Sequence, residues 1–370
     1  MASASSPTVL VTGINGYIAS ATVLEFIAAG YRVRGTVRSL DKSQAILSEA
    51  FRAHLDANTL EIVEVPDALA PKALDDAVKG VVGVAHIASP GMSAKDLADP
   101  VGAIHNARDG TTNVLCSIEA HAGPQLRGVV LVSSVATIMA MDSPPGYRYT
   151  GDEFNESYID MTIALGKESP VPLRYTAVKV AVEKAFWDFF KRTDRPAPAF
   201  TGVSVNPSFV IGPVAVRPED PTSLPLSVRS IWHILGGGAW PAEFPTPAFV
   251  DVRDVGRACV LGVERGELTN GRRLLLSAYR GSCQAVADIL HEELPERKDK
   301  IRAGTPGARS PDDVSWGDDE VGMDGSRFEE ISGVKYRSYR ESVVASARSM
   351  EPYIAAGKDQ ELGDEVPRMF

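Results

Sequence analysis

The chain has 370 residues, 44% of them apolar, with 38 Lys and Arg against 48 Asp and Glu for a formal net charge of −10. That length can bury an α/β domain with a smaller appended lobe, while the acidic balance, without a basic stripe interleaved with aromatics, gives no support to nucleic-acid binding. No apolar run reaches the roughly 18 residues of a membrane span, residues 1–7 lack the basic start and apolar stretch of a signal peptide, and Cys116, Cys259 and Cys283 form neither a disulfide framework nor a metal pair, so the expectation is a cytoplasmic monomer or homodimer without metal.

The segment Thr8 to Ser20 is a short apolar run broken by Gly13-Ile14-Asn15-Gly16 and followed by a helix-like pattern. It reads as strand, tight turn, helix. Gly13 can take positive φ, Gly16 lets a pyrophosphate approach the backbone, and Ala19 lets the helix lie close to the strand. The N–H groups and positive dipole end of that helix then face the phosphates. The second strand spans Tyr31 to Arg38, and where NAD-binding folds carry an acid at its end this chain has Val37 and then Arg38, with Lys42 four residues on. A guanidinium there suits a 2′-phosphate, which favours NADP(H) over NAD(H); the alternative is a solvated loop charge. Leu60 to Asp67 is a third strand, and Asp67 serves equally as an adenine acceptor or a helix N-cap. Val81 to Pro90 gives a fourth, with the Ala88-Ser89-Pro90 turn passing under the cofactor and His86 as a core histidine.

A fifth apolar strand, Gly128 to Val132, ends in Ser133-Ser134, and Tyr175 and Lys179 follow about forty residues later at a helical spacing that puts both on one face. A cation beside a phenol stabilises phenolate and makes the tyrosine a usable general acid for a carbonyl oxygen receiving hydride, which a strand-end serine can also hold. The helical run continues to Phe190, Phe200 to Val205 reads as another strand, and Asn206-Pro207 ends it. Residues 207–246, rich in Pro and Gly, and 276–345 are expected to build a substrate-binding lobe, with 1–206 and 247–275 forming the nucleotide domain and 346–370 a tail.

In these segments the chain resembles the extended short-chain dehydrogenase/reductase superfamily. More narrowly it is similar to the branch of dihydroflavonol reductases, cinnamoyl-CoA reductases and fungal NADPH-dependent aldehyde and ketone reductases. The resemblance rests on Val11 to Ser20, Val33 to Ser39, Val84 to Pro90, Gly110 to Asn113, Val132 to Ser134, Tyr175 to Lys179 and Asn206 to Pro213, in order. It implies a Rossmann-type, doubly wound parallel sheet with a smaller C-terminal substrate lobe, using NADPH/NADP+. By that resemblance Ser134, Tyr175 and Lys179 are catalytic, with Ser133 the fallback. Gly13, Asn15, Gly16, Tyr17 and Ile18 hold the phosphates, Arg38 and Lys42 the 2′-phosphate, and Asp67, Ala68 and Leu69 the adenine. Ala88, Ser89, Pro90, Val132, Ser133, Pro207, Ser208 and Val210 complete the cofactor site. Leu173-Arg174-Tyr175-Thr176-Ala177 departs from the Asn-Trp-Tyr-Cys-Tyr signature of cinnamoyl-CoA reductases, which argues against a CoA thioester.

The expected reaction is reduction of aldehydes, ketones and keto esters in an apolar pocket whose wall candidates, from nearness to the catalytic segments, are Met92, Thr137, Pro172, Leu173, Phe209 and Trp232, with Phe154 also considered. A nucleotide-sugar epimerase or dehydratase, or a steroid-type dehydrogenase, is the alternative within the same fold. A non-enzymatic NADP sensor would tend to lose the Tyr-Lys pair, which is intact.

Overall fold

The computed structural model describes residues 5–89, 94–194, 196–240, 244, 247–305 and 313–359. Seven parallel strands, β1 (Thr8–Val11), β2 (Arg32–Val37), β3 (Leu60–Glu64), β4 (Gly83–His86), β5 (Gly128–Val132), β7 (Thr201–Pro207) and β10 (Arg273–Leu276), form one sheet in the order β3-β2-β1-β4-β5-β7-β10. The central strands are apolar on both faces because helices cover both. On one side lie α1 (Tyr17–Ala28), α2 (Leu40–Asp56) and α8 (Val252–Glu264); on the other, α4 (Pro100–His121) and α6 (Val171–Lys191). At Gly256 a Cβ would stand 2.8 Å from Glu25 Cγ and 3.2 Å from Thr22 Cα, so the missing side chain is what lets α8 lie against α1.

Chain order reverses between β1 and β4, so the crevice beyond their carboxyl ends is the topological switch point where such sheets take ligands. Two small sheets flank the large one: β8 (Phe209–Ile211) with β9 (Ala248–Asp251) and β11 (Tyr279–Arg280), and β6 (Arg148–Tyr149) with β12 (Gly322–Met323). Short helices α3 (Ala94–Ala98), α5 (Ser157–Leu165) and α9 (Gly266–Thr269) bridge larger elements. The lobe packs α7 (Leu226–Leu235), α10 (Cys283–Glu293), α12 (Tyr339–Ser349) and α13 (Glu351–Ala355) around Trp232, Phe249, Tyr279 and Tyr339.

Three expected boundaries shift. The return of the chain to the nucleotide domain begins at α8, since β9 pairs in the small sheet. α11 (Ser326–Ser332), assigned to the lobe, instead buries Phe328 in the core shared with Leu274 and Leu276 of β10. The segment expected as a tail from residue 346 starts inside α12 and buries Ala347, Met350 and Tyr353 in the lobe. Among the described residues no helix is long and apolar enough to cross a membrane, and no group of three or more His, Cys, Asp or Glu could hold a metal ion.

Candidate active site

The turn after β1 is built as its glycines require. Gly13 has φ +73°, its N–H donates to Thr36 Oγ1 at 3.1 Å, and its O accepts from Gly16 N at 2.9 Å. A Cβ on Gly13 would lie 3.2 Å from Ala88 Cβ, so a larger residue would be strained and would crowd the cleft floor. α1 then starts without a side-chain cap and without an acid in its first turn, leaving its positive end open to the crevice. A cleft of about 590 Å³ lies there, walled by Gly13, Asn15, Gly16, Tyr17, Ile18, Arg38, Asp67, Ala68, Leu69, Ala88 and Ser89 among others.

Arg38 is exposed at the end of β2, with no hydrogen bond or ion pair among the described residues. Lys42, expected beside it, stands exposed in the first turn of α2 and is not a cleft wall. Asp67 Oδ1 accepts from Leu69 N at 3.0 Å, so the carboxylate caps a turn, not a helix. Beneath the floor, Thr12 Oγ1 accepts from Ile87 N and Ala88 N, both at 2.9 Å, and lies 3.1 Å from His86 Nδ1. Its one proton therefore goes to Nδ1. Burial, with the Lys179 charge adding to it, pushes the His86 imidazole down to about 4, so it stays neutral.

A second cavity, of about 680 Å³, shares Tyr17, Ile18 and Pro225 with the first. Its wall brings together Ser134, Tyr175, Pro172, Ser208, Phe209 and Val210 with Val135, Ala136, Met139, Tyr158, Val171 and Leu226, and among the described residues no charged side chain lines it. Tyr175 is 39% exposed, its ring open to the cavity. Lys179, one turn along the same helix, makes no hydrogen bond or ion pair among the described residues. Ser134 Oγ accepts from Ala136 N at 3.2 Å, which leaves its own proton free to donate into the cavity. Ser208 is 6% exposed and its Oγ has no hydrogen-bond partner among the described residues, although it lines this cavity. A buried hydroxyl in that state suits a polar group from a ligand.

Several expected residues lie elsewhere. Ser133 Oγ donates to the buried Glu183 Oε2 at 2.6 Å, so it turns away from both cavities. Thr137 is fully buried in the same cluster, 2.6 Å from Glu183 Oε2, and is not a substrate wall. Val132 and Pro207 are buried strand residues outside either cavity wall. Leu173 packs against Tyr158 and Val180, and Trp232 against Tyr353 in the lobe core. The Phe154 ring lies under the Arg273 guanidinium, whose Cζ is 4.6 Å from the ring centroid. Pro90 and Met92 lie outside the described residues. Sequence reasoning missed Met139, Tyr158, Val171, Pro225 and Leu226. Val171 could have been found, since it sits one turn before Tyr175 on the same helical face.

This switch-point crevice, with its glycine turn and its Ser-Tyr-Lys set, defines a nucleotide-dependent enzyme of the extended type. The chain belongs to the NAD dependent epimerase/dehydratase family, whose profile matches residues 9–274. Within it the chain is similar to the NADPH-dependent methylglyoxal reductase GRE2 of Saccharomyces cerevisiae, at 31% identity over 92% of this chain and 96% of that one. It is 32% identical to ketoreductase azaE of Aspergillus niger, over 92% and 97% of the two chains. The crystal structure of Gre2 from Candida albicans in complex with NADPH superposes with a TM-score of 0.76 at 28% identity, covering 94% of this chain and 99% of that one.

Proposed function

We propose that the protein reduces small apolar aldehydes, ketones and keto esters to alcohols with NADPH. The observation that carries this reading is the pair of cavities that share Tyr17, Ile18 and Pro225, with an open helix N-terminus and an unpaired Arg38 on one, and Ser134 and Tyr175 on the other, whose wall carries no charged side chain among the described residues. The residues present suit the cofactor. The Gly13–Gly16 turn and the first N–H groups of α1 would take the pyrophosphate, Arg38 the 2′-phosphate, and the Asp67–Leu69 turn the adenine, while Ala88, Ser208 and Val210 would border the nicotinamide. When bound there, NADPH supplies the hydride.

The chain's own groups do the rest. Ser134 hydrogen-bonds the substrate carbonyl oxygen through its free hydroxyl and keeps its own proton. Tyr175 donates the proton that completes the alcohol. Lys179, one turn along the same helical face, supplies the neighbouring positive charge. Arg174, the cation nearest the tyrosine in sequence, is held outside by the carbonyls of Ser169, Leu97 and Lys167 at 2.5–2.6 Å. With no charge on the cavity wall among the described residues, burial of an aryl or alkyl group, worth about 25 cal/mol per Å², is what binds substrate. The same lack of charge disfavours the nucleotide diphosphate that an epimerase must grip.

NADPH oxidation with an aryl keto ester and the matching keto acid tests the reading, in wild type and in Tyr175→Phe. The ester should be turned over with much the higher kcat/KM, and the Phe variant should lose about 10²–10⁴ in rate with NADPH affinity nearly unchanged. Preference for the acid would overturn the apolar pocket, and near-normal turnover by Tyr175→Phe would overturn the proton donor.

A further inference from the structure

Glu183 lies eight residues after Tyr175 on α6, so Tyr175, Lys179 and Glu183 share one helical face. The carboxylate is fully buried and takes three close donors on each oxygen. On Oε1 are Arg273 Nε at 2.6 Å, Ser204 Oγ at 3.0 Å and Trp187 Nε1 at 3.3 Å, all from the interior of the fold. On Oε2 are Ser133 Oγ and Thr137 Oγ1, both at 2.6 Å, and Asn206 Nδ2 at 2.8 Å.

The Oε2 set is the informative half. Ser133 and Thr137 bracket Ser134, and Asn206 is the next-to-last residue of β7, two residues before Ser208. Asn206 Nδ2 also lies 3.3 Å from the Ser134 carbonyl and 3.1 Å from Thr137 Oγ1, and Thr137 Oγ1 lies 2.9 Å from that same carbonyl. Arg273 adds a donor to Thr137 Oγ1 at 2.9 Å and ties down the loop below through the Gly151 and Glu153 carbonyls. One carboxylate therefore ties the helix that carries Tyr175 to both strand ends that carry Ser134 and Ser208.

A buried ion pair of this kind is seldom the most stable filling for a core, because apolar residues of similar volume often do as well or better. What it supplies is geometry. We propose that Glu183 is a positioning residue, whose Oε2 fixes the Ser134 hydroxyl relative to the Tyr175 phenol through Ser133, Thr137 and Asn206. This rests on the reductase reading above.

The test is a double-mutant cycle on the full chain, reading kcat, KM, NADPH Kd and Tm for Glu183→Gln, Ser134→Ala and the pair. Glu183→Gln keeps the shape but sets an amide against donors, and should lower kcat about ten- to a hundredfold, as displacements of up to an ångström do, with NADPH Kd within about twofold. In the Ser134→Ala background the same change should cost little more, because the group it positions is gone. Should Glu183→Gln fail to fold, Ser133→Ala, which removes one donor and leaves the carboxylate satisfied, runs the same cycle with a smaller loss of roughly three- to tenfold in kcat. A lowered Tm with unchanged kcat in the folded enzyme, or an equal loss in both backgrounds, would overturn the inference. NADPH oxidation by the wild type with an aryl ketone, run in parallel, separates that failure from failure of the reductase reading, which absence of any turnover would sink.

Discussion

Arg38 and His86 show how two single side chains carry consequences that their neighbours do not. Among the described residues Arg38 has no partner and is the one cation on the wall of the glycine-turn cleft. A charge-assisted contact to a 2′-phosphate is worth about 1.5–3 kcal/mol, so Arg38→Asp should narrow the preference for NADPH over NADH by roughly ten- to a hundredfold, read as the ratio of the two kcat/KM values. Equal use of both cofactors by the wild type would refute this pocket assignment. His86 works through protonation. Its folded value is depressed to about 4 from an ordinary 6.5, so the unfolded chain takes up a proton before the native one does. Stability is thus complete above about pH 6.5 and is lost as pH falls towards 4, by about 3 kcal/mol at roughly 1.4 kcal/mol per pH unit. His86→Asn keeps an acceptor for Thr12. Its denaturation midpoint should fall less steeply than the wild type's across that window; parallel slopes would mean that His86 does not govern it.

At the scale of elements, α6 shows what the sequence made legible and what it hid. The Tyr175–Lys179 spacing singles out one face of the helix because helical periodicity is local, and Tyr175 on that face lines the cavity. Pro172, three residues before the tyrosine, lies on that face and lines the cavity. Leu173 is only two residues away, but at about 100° per residue it turns about 200° around the helix and enters the core, so nearness along the chain misled. Leu173→Ala should accordingly cost about 2–4 kcal/mol in chemical denaturation while leaving KM for aryl ketones unchanged. A raised KM at unaltered stability would return Leu173 to the pocket. Strands β1 to β5 were readable as apolar runs with turn residues behind them. The pairing of β8, β9 and β11 was not, since register between distant short strands is decided by partners that neither segment reveals. Glu183 escaped for a related reason: an acid in an apolar helix signals a buried partner, but Arg273, ninety residues on, completes the pair only in three dimensions.

In the whole molecule, the two cavities lie on the seam between the parallel-sheet domain and the lobe, and Tyr17 spans it. Its ring packs against both hydrophobic cores, its hydroxyl donates to the Gly212 carbonyl at 3.0 Å, and it lines both cavities. Burial holds this phenol well above its usual range, so it stays a neutral donor at working pH. A cofactor in the crevice would touch Tyr17, Ile18 and Pro225 at once, and would bind best when domain and lobe are docked. Ligand at a hundred times its Kd adds about 2.7 kcal/mol to a state that binds it alone. With an unfolding entropy near 2.1 cal/mol/K per residue, a chain of 370 residues should then gain about 3 °C in Tm. Calorimetry with saturating NADPH should show a single transition moved upward by that amount, with NADH moving it less at equal concentration. Tyr17→Ala should remove the bridge and lower the Tm of the free protein. Two transitions, of which NADPH moved only one, would mean that domain and lobe unfold independently and that the seam does not couple them.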